Sequence, residues 1–186
     1  MHAASAGHLK VVELLADRAT VNELDAFGMG ALSCAVAADD IDMCRLLVRT
    51  GAQPSPVDGV PALITAVAAK KRAAMLWLLE LPASDVNARR SGAGDTALTV
   101  AAREGTADLV DLLLEQPAID VNATGHYGRT ALWEAVAGGY EDLVMRLLAV
   151  GADAGIADAQ GMTPMTLASR RGNSRIVDAL DLALQH

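Results

Sequence analysis

The sequence predicts an all-α solenoid, in which helix-turn-helix pairs stack side by side and β-hairpin-like loops join them. Three observations carry this prediction. The chain is 52% hydrophobic but only 3% aromatic, so its core must come from Ala, Leu, Val and Met, which suit close-packed helices better than a β-sandwich. A glycine-led segment recurs at intervals of 31 to 35 residues. Each copy contains two apolar blocks of helical length.

The repeat is visible in five segments that begin GMGALSCAVAADD, GVPALITAVAAKK, GDTALTVAAREGT, GRTALWEAVAGGY and GMTPMTLASRRGN. Their first residues are Gly28, Gly59, Gly94, Gly128 and Gly161. A second apolar block follows in each copy, and a partial copy, HAASAGHLKVVELLADRATVN, precedes them all. Because no copy can bury its apolar side alone, stacking of neighbours must supply the core.

These segments resemble the ankyrin repeat, whose pattern runs Gly, Thr-Pro-Leu-His, paired Ala, Gly-His, a Val-Val and Leu-Leu block, then Gly-Ala-Asp-Val-Asn. The resemblance covers the whole chain. It implies a single ankyrin-repeat domain over residues 1–186, with one truncated and five further repeats. Their approximate bounds are 1–24, 25–55, 56–88, 89–123, 124–156 and 157–186.

The ends of the first helices differ between repeats. The three later repeats have a threonine placed to cap the helix start, namely Thr96, Thr130 and Thr163. They also have a glycine suited to a left-handed turn at the helix end, namely Gly105, Gly139 and Gly172. The repeats at 25–55 and 56–88 instead have Gly30 and Pro61, then Asp39 and Lys70. We therefore expect residues 25–80 to be the least stable stretch, by about 1–3 kcal/mol.

The charge balance bears on the class of partner. The formal net charge is -8, which argues against nucleic acid, since a phosphate backbone calls for a clustered basic face. Residues 94–186 carry 6 basic and 13 acidic side chains, a balance that favours a partner with a basic patch. No apolar run approaches the roughly 20 residues that span a bilayer, so the sequence predicts no membrane insertion.

The sequence contains no arrangement of residues that points to catalysis. Cys34 and Cys44 are too few for a disulfide framework and are expected to be buried free thiols, which favours an intracellular, cytoplasmic protein. The four histidines are scattered, and none lies at ligand spacing from a cysteine. The sequence therefore predicts that the chain is not an enzyme and has no catalytic residue, metal site or cofactor.

The ankyrin resemblance implies that a partner protein binds the hairpin tips and the concave face of the first helices. Three of the five aromatic residues fall there, and Trp, Tyr and Arg dominate many interfaces. The predicted contact residues are Phe27, Met29, Tyr127, Arg129, Trp133 and Glu134. In an alternative interpretation, Trp133 packs between neighbouring first helices.

The same mapping assigns further side chains. Val60 and Asp95 are expected at the tips, and Ser33, Cys34, Ile64, Thr65, Thr99 and Thr166 on the concave face. Trp77 is expected in the core, and Tyr140 in a structural position at a turn.

The function that follows is a protein-protein interaction module, acting as an adaptor or scaffold. One alternative is a structural spacer or self-assembly element, in which the incomplete N-terminal repeat docks on another copy. Another is that the chain is the repeat region of a larger multidomain protein. A small-molecule receptor would need a deep pocket with convergent polar groups, which a shallow concave face rarely offers.

Overall fold

The structure is a computed structural model that describes residues 2–15 and 20–185. Within these ranges it contains helices and turns but no named strand, which confirms the all-α prediction. The chain divides into two compact units, Met1–Gly92 and Ala93–His186. The organisation as a single domain therefore stays a prediction. None of the helices in the described ranges is both long and apolar enough to cross a membrane.

The first unit consists of helix pairs in its described residues. These are α1 (His2–Ser5) and α2 (Leu9–Leu15), α3 (Ala31–Ala37) and α4 (Ile41–Arg49), and α5 (Ala62–Ala68) and α6 (Arg72–Leu79). First helices contact first helices, α1 with α3 and α3 with α5, and second helices do the same. Val36, Met43, Leu47, Val67 and Met75 are fully buried and form part of its core.

The second unit repeats this arrangement. Its pairs are α7 (Ala97–Arg103) and α8 (Ala107–Leu114), α9 (Ala131–Gly138) and α10 (Glu141–Ala149), and α11 (Pro164–Arg171) and α12 (Ser174–Leu184). The first helices α7, α9 and α11 pack in sequence, and α10 packs against α12. Leu113, Leu132, Val144, Leu147 and Leu180 are buried at these contacts.

The helix starts confirm the predicted difference between repeats. Thr96 accepts a hydrogen bond from the Thr99 amide at 3.2 Å, and Thr130 and Thr163 cap α9 and α11 in the same way. In contrast, α3 starts after Gly30 and α5 after Pro61, and neither residue supplies a side-chain cap. Two of the first helices in the first unit therefore begin without the side-chain cap that threonine supplies in the second.

The turns at the helix ends show the same contrast. Gly105, Gly139 and Gly172 adopt φ values of 66°, 72° and 69°, as the sequence predicts. Asp39 and Lys70 occupy the equivalent turns with φ values of 60° and 56°. The fold thus imposes a left-handed backbone on two residues with side chains, at a cost of about 1–2 kcal/mol each.

The loops between helix pairs form hairpin-like tips. In the first unit, the Asp25 Oδ1 atom accepts from the amides of Phe27 and Met29 at 2.8 and 2.9 Å, and one isolated antiparallel bridge joins Leu24 to Gly30. In the second unit, the Ala159 amide donates to the Tyr127 carbonyl at 2.7 Å. That bond ties one tip to the next.

Asparagine side chains also join successive repeats. The Asn22 Oδ1 atom accepts from the Gln53 amide at 2.8 Å, and its Nδ2 atom donates to the Gly51 carbonyl at 3.0 Å. In the second unit, Asn122 accepts from the Asp153 amide at 2.8 Å. The asparagine at the end of one repeat thus holds the backbone that follows the second helix of the next repeat.

Candidate partner-binding surface

The tip between α8 and α9 presents an exposed aromatic ring. Tyr127 is 56% exposed and has a φ of 58°, a backbone conformation that few residues with side chains adopt. Its ring centroid lies 3.8 Å from that of His126, and the Arg129 guanidinium lies 5.3 Å from it. His126 and Arg129 thus neighbour the Tyr127 ring, and more than half of the residue remains exposed to solvent.

Trp133 lies beneath this tip rather than at its surface. The ring is only 5% exposed, and the Arg129 guanidinium stacks on it at 3.9 Å. Its Nε1 atom donates to the Met162 carbonyl at 3.0 Å, directly before the start of α11. The burial agrees with the alternative interpretation, although the contacts that cover the ring come from Arg129 of its own tip and Met162 of the next one.

Two buried carboxylates hold the tips of the second unit in place. Asp95 accepts from both Nη atoms of Arg103 at 3.2 and 3.3 Å, and from the His126 amide at 2.9 Å. Asp158 accepts from the Gln160 and Met162 amides, each at 2.9 Å. Each carboxylate offers several lone pairs, so a single side chain can order a whole turn.

Arg129 sits between these groups with unused hydrogen-bonding capacity. Its Nε atom is buried without a hydrogen-bond partner and lies 3.9 Å from the Asp158 carboxylate. Its guanidinium is held between the rings of Tyr127 and Trp133. The side chain is 29% exposed, so the exposed part of Arg129, rather than its buried Nε atom, is what a partner acceptor could contact.

Glu134 is buried at the start of α9. Its carboxylate lies 4.0 Å from the Arg103 guanidinium. Burial raises the pKa of Glu134 above its ordinary value, while the charges of Arg103 and Arg129 act against that shift. In this geometry Glu134 lies beside the Arg103 guanidinium and interacts with Arg129 through its charge.

The first unit has a separate surface around Phe27 and Met29. Phe27 is 80% exposed, and Met29 is half-buried at the edge of a hollow of about 390 Å³. The hollow is lined by apolar residues of the next repeat, including Val60 and Ile64, and by the exposed Arg90. An apolar side chain with a nearby acceptor would fit this shape and charge.

The structure corrects several placements on the tips and first helices. Val60 and Asp95 are buried rather than exposed at the tips, and the expected concave face is largely covered, at Ser33, Ile64, Thr65, Thr99, Trp133 and Glu134. Thr166 is exposed as expected and Cys34 is half-buried. The physical reason is the close approach of successive tips, seen where the Ser33 hydroxyl donates to the Val60 carbonyl. Sequence analysis did not assign the supporting roles of Arg103 and Asp158, because Arg103 approaches Glu134 and Asp158 approaches Arg129 from about one repeat away.

The remaining reactive side chains are structural. Cys34 and Cys44 are free thiols, and burial, followed by the Asp40 carboxylate, raises the pKa of Cys44 to about 12. A thiol with that pKa is not a nucleophile at neutral pH. Trp77 is half-buried rather than in the core. In the part of the chain that the structure describes, no three His, Cys, Asp or Glu side chains form a group that could hold a metal ion.

A fold of stacked helix pairs with hydrogen-bonded tips defines a class of repeat proteins, and comparison with known proteins assigns the family. The family model for ankyrin repeats matches three times, at residues 1–90, 63–158 and 98–183. The chain belongs to the ankyrin-repeat family. It is 31% identical over 179 residues to the putative ankyrin repeat protein YahD of Escherichia coli, covering 92% of this chain and 88% of that protein.

Other relatives are longer than this chain. It is 34% identical over 148 residues to the nuclear factor NF-kappa-B p105 subunit of Gallus gallus, covering 77% of this chain but only 15% of that protein. Among solved structures, an ankyrin repeat domain from Acinetobacter baumannii has a TM-score of 0.79 at 27% identity, covering 98% and 95% of the two chains. The ankyrin repeat domain of Bcl-3 has a TM-score of 0.77 at 30% identity, covering 96% of this chain and 79% of that one.

Proposed function

We propose that this chain is a protein-binding module, an adaptor or scaffold whose second unit contacts its partner through Tyr127. The observation that carries the proposal is an exposed aromatic ring on a tip that buried charges hold rigid. Ankyrin repeats typically mediate protein-protein interaction, which supports the same conclusion.

The predicted contact residues take different parts in this proposal. Tyr127 makes the direct contact, because its ring is accessible. Arg129, whose side chain is 29% exposed, offers its guanidinium to a partner acceptor, and the Trp133 ring stacked against it keeps the guanidinium in position. A ring and guanidinium ordered before binding lose little conformational entropy on association.

In the first unit, Phe27 and Met29 form a second contact surface under the same proposal. The hollow beside them accepts an apolar side chain, and Arg90 at the rim suits a neighbouring carboxylate or carbonyl oxygen. The two surfaces are independent proposals, so that loss of one leaves the other to be tested.

Tyr127→Ala is expected to weaken partner binding at least tenfold, because it removes the accessible ring and leaves the buried network intact. A protein captured from lysate of the source cell with the wild-type chain is purified, and its affinity for each variant is measured by titration calorimetry. Leu76→Ala, at an exposed apolar position on α6, is the matched control.

Phe27→Ala tests the surface of the first unit in the same titration.

Equal affinity of the folded wild-type and Tyr127→Ala proteins would contradict the assignment to Tyr127. Circular dichroism and the urea midpoint verify that each variant is folded. The Trp133→Ala variant is not informative here, because truncating a buried ring destabilises the core by about 3–5 kcal/mol.

Self-assembly is a second candidate function, favoured by one observation. In α2 of the N-terminal repeat, Leu14 is 85% exposed, and Leu9 and Val11 are also exposed. Large apolar side chains clustered on one short helix favour contact with another apolar surface. Residues 16–19 of the same repeat lie outside the described ranges.

We place the module inside the cell. The family supports this placement, and the two free thiols suit a reducing compartment. The p105 relative is named as a subunit, which supports a role for the module within a larger assembly. The chain spans 15% of p105, and the proposal therefore includes a repeat region within a multidomain protein. We propose no catalytic activity, cofactor or nucleic-acid partner.

A further inference from the structure

The outer face of the second unit carries an apolar groove that the proposed contacts leave unused. Two hollows of about 410 and 530 Å³ lie along α10 and α12. They share Met145, Ala179 and Leu182 as lining residues and so adjoin one another. The α12 helix has 11 residues and is therefore about 16 Å long, enough to accommodate three turns of another helix.

The groove is lined by apolar side chains that the fold itself does not bury. Met145 is 57% exposed and Leu182 is 60% exposed, although Val144 and Ile176 beneath them are buried in the contact between α10 and α12. A contiguous exposed apolar surface is a candidate interaction site.

The charges at the rim of the groove are predominantly negative and unneutralised. Arg175 at this rim already pairs with Glu141 at 3.2 Å, and the neighbouring Arg146 pairs with Asp111. Asp142 and Asp178 line the same groove, and neither forms an ion pair with any described residue. The groove therefore combines apolar lining residues with the carboxylates of Asp142 and Asp178, which could pair with positively charged side chains of a partner.

We propose that this groove, between α10 and α12, binds an amphipathic helix of a partner protein whose apolar face fills the hollows and whose lysines or arginines meet Asp142 and Asp178. Helices that bind in grooves present apolar anchors at positions i, i+3 or i+4, and i+7. A helix with such anchors and flanking basic residues satisfies both the shape and the charge of this site. The surface lies on second helices, away from the Tyr127 tip.

A second copy of this chain fits the groove poorly. A symmetric dimer through α12 would bring Asp142 and Asp178 of one copy against the same residues of the other. Like charges across an interface cost free energy, and the chain already has a net charge of -8. A basic partner helix removes this repulsion, whereas a second copy adds to it.

The test uses a synthetic helical peptide with leucines at i, i+4 and i+7 and lysines flanking them, labelled with a fluorophore. A control peptide has glutamate in place of each lysine. We expect the lysine peptide to bind the whole chain and the glutamate peptide to bind at least tenfold more weakly. Because the rim contacts are exposed, 0.5 M salt should weaken binding of the lysine peptide; salt screens such charges to a distance of a few ångströms.

Four variants locate the binding site. Met145→Glu and Leu182→Glu, both at exposed positions, should each weaken binding of the lysine peptide at least tenfold. Asp142→Asn together with Asp178→Asn should remove most of the preference for lysine over glutamate. Val57→Glu, at another exposed apolar position, is the charge-matched control and should bind as the wild-type chain does.

Three results would overturn the proposal. The first is equal binding of the two peptides, and the second is unchanged binding by Met145→Glu and Leu182→Glu. The third is a dimer in sedimentation that Leu182→Glu dissociates, which would assign the groove to a second copy. Tyr127→Ala should bind the lysine peptide normally, so failure of the groove and failure of the Tyr127 surface are distinguishable.

Discussion

At the scale of single residues, the left-handed turns at the ends of the first helices are the clearest case in which sequence and backbone conflict. Gly139 and Gly172 meet no atom within 4 Å of an added Cβ, so backbone conformation alone favours glycine there. Lys70 adopts the same conformation at φ 56° with an exposed side chain. Because the Lys70 side chain is exposed, little burial is available to offset the strain of its backbone.

Lys70→Gly is expected to stabilise the chain by about 0.5–1 kcal/mol, because glycine relieves the left-handed strain but loses more entropy on folding. Urea unfolding measures the change in the free energy of unfolding. Gly139→Ala is the converse variant and should destabilise the chain by about 1 kcal/mol. A Lys70→Gly variant less stable than wild type would show that the lysine side chain contributes an interaction of its own.

At the turn after α7, the Tyr140 ring gives a second reason for glycine at position 105. A Cβ atom at Gly105 would lie 2.5 Å from the Tyr140 ring, and one at Gly138 would overlap the same ring. Tyr140 thus packs across two glycines from adjacent repeats. This is a structural position, in agreement with the sequence-based expectation, and it requires small residues at both contacts.

At the scale of helices, the caps determine how firmly each first helix begins. In the second unit, Thr96 forms a capping box with Thr99, and Thr130 and Thr163 cap the next two first helices. In the first unit, α3 and α5 begin without side-chain caps and end at the strained residues Asp39 and Lys70. Each of these two helices therefore has a weak start and a weak end.

Amides of α3 and α5 are expected to exchange with deuterium faster than those of α7 and α9, by a difference in opening free energy of about 1–3 kcal/mol. Native-state hydrogen exchange followed by mass spectrometry measures this difference. Lys70→Gly should slow exchange in α5 while leaving α9 unchanged. Equal protection of all four helices would contradict the expectation that residues 25–80 are the least stable.

At the scale of the whole molecule, exposed apolar side chains determine whether the chain associates with itself. Leu14 on α2 and Leu182 on α12 are both highly exposed, but their surroundings differ. Asp178 and Asp142 flank the groove at α12, whereas Leu9 and Val11 add further apolar surface at α2. Self-association, if it occurs, is therefore expected through α2.

In sedimentation velocity, a concentration-dependent mass of the wild-type chain that Leu14→Glu abolishes would support self-assembly. The physical reason is that a buried, unpaired glutamate disfavours an apolar contact. Leu76→Glu, on a different helix, is the control for added charge. A monomeric wild-type chain at all concentrations would remove self-assembly as a function and leave the binding module.

Much of the fold follows from the sequence alone. The period of 31 to 35 residues, the capping threonines and the turn glycines are local signals, and each determines a local conformation wherever it occurs. The absence of these signals at Gly30, Pro61, Asp39 and Lys70 correctly marks the first helices that lack a side-chain cap and end at a strained turn. The exposed positions of Phe27 and Tyr127 also follow from the sequence, since both lie at tips between helices.

Only the tertiary structure decided which polar and aromatic side chains are buried. Trp133 and Glu134 look like surface residues from their place in the repeat, but Arg129, Arg103 and the next tip cover them. Likewise, Arg146 on α10 pairs with Asp111, which lies 35 residues earlier on α8. Such contacts join residues about one repeat apart, and local sequence does not encode the distance between stacked repeats. The repeat pattern determined the helices and tips, while the packing of one repeat on the next determined which side chains a partner can reach.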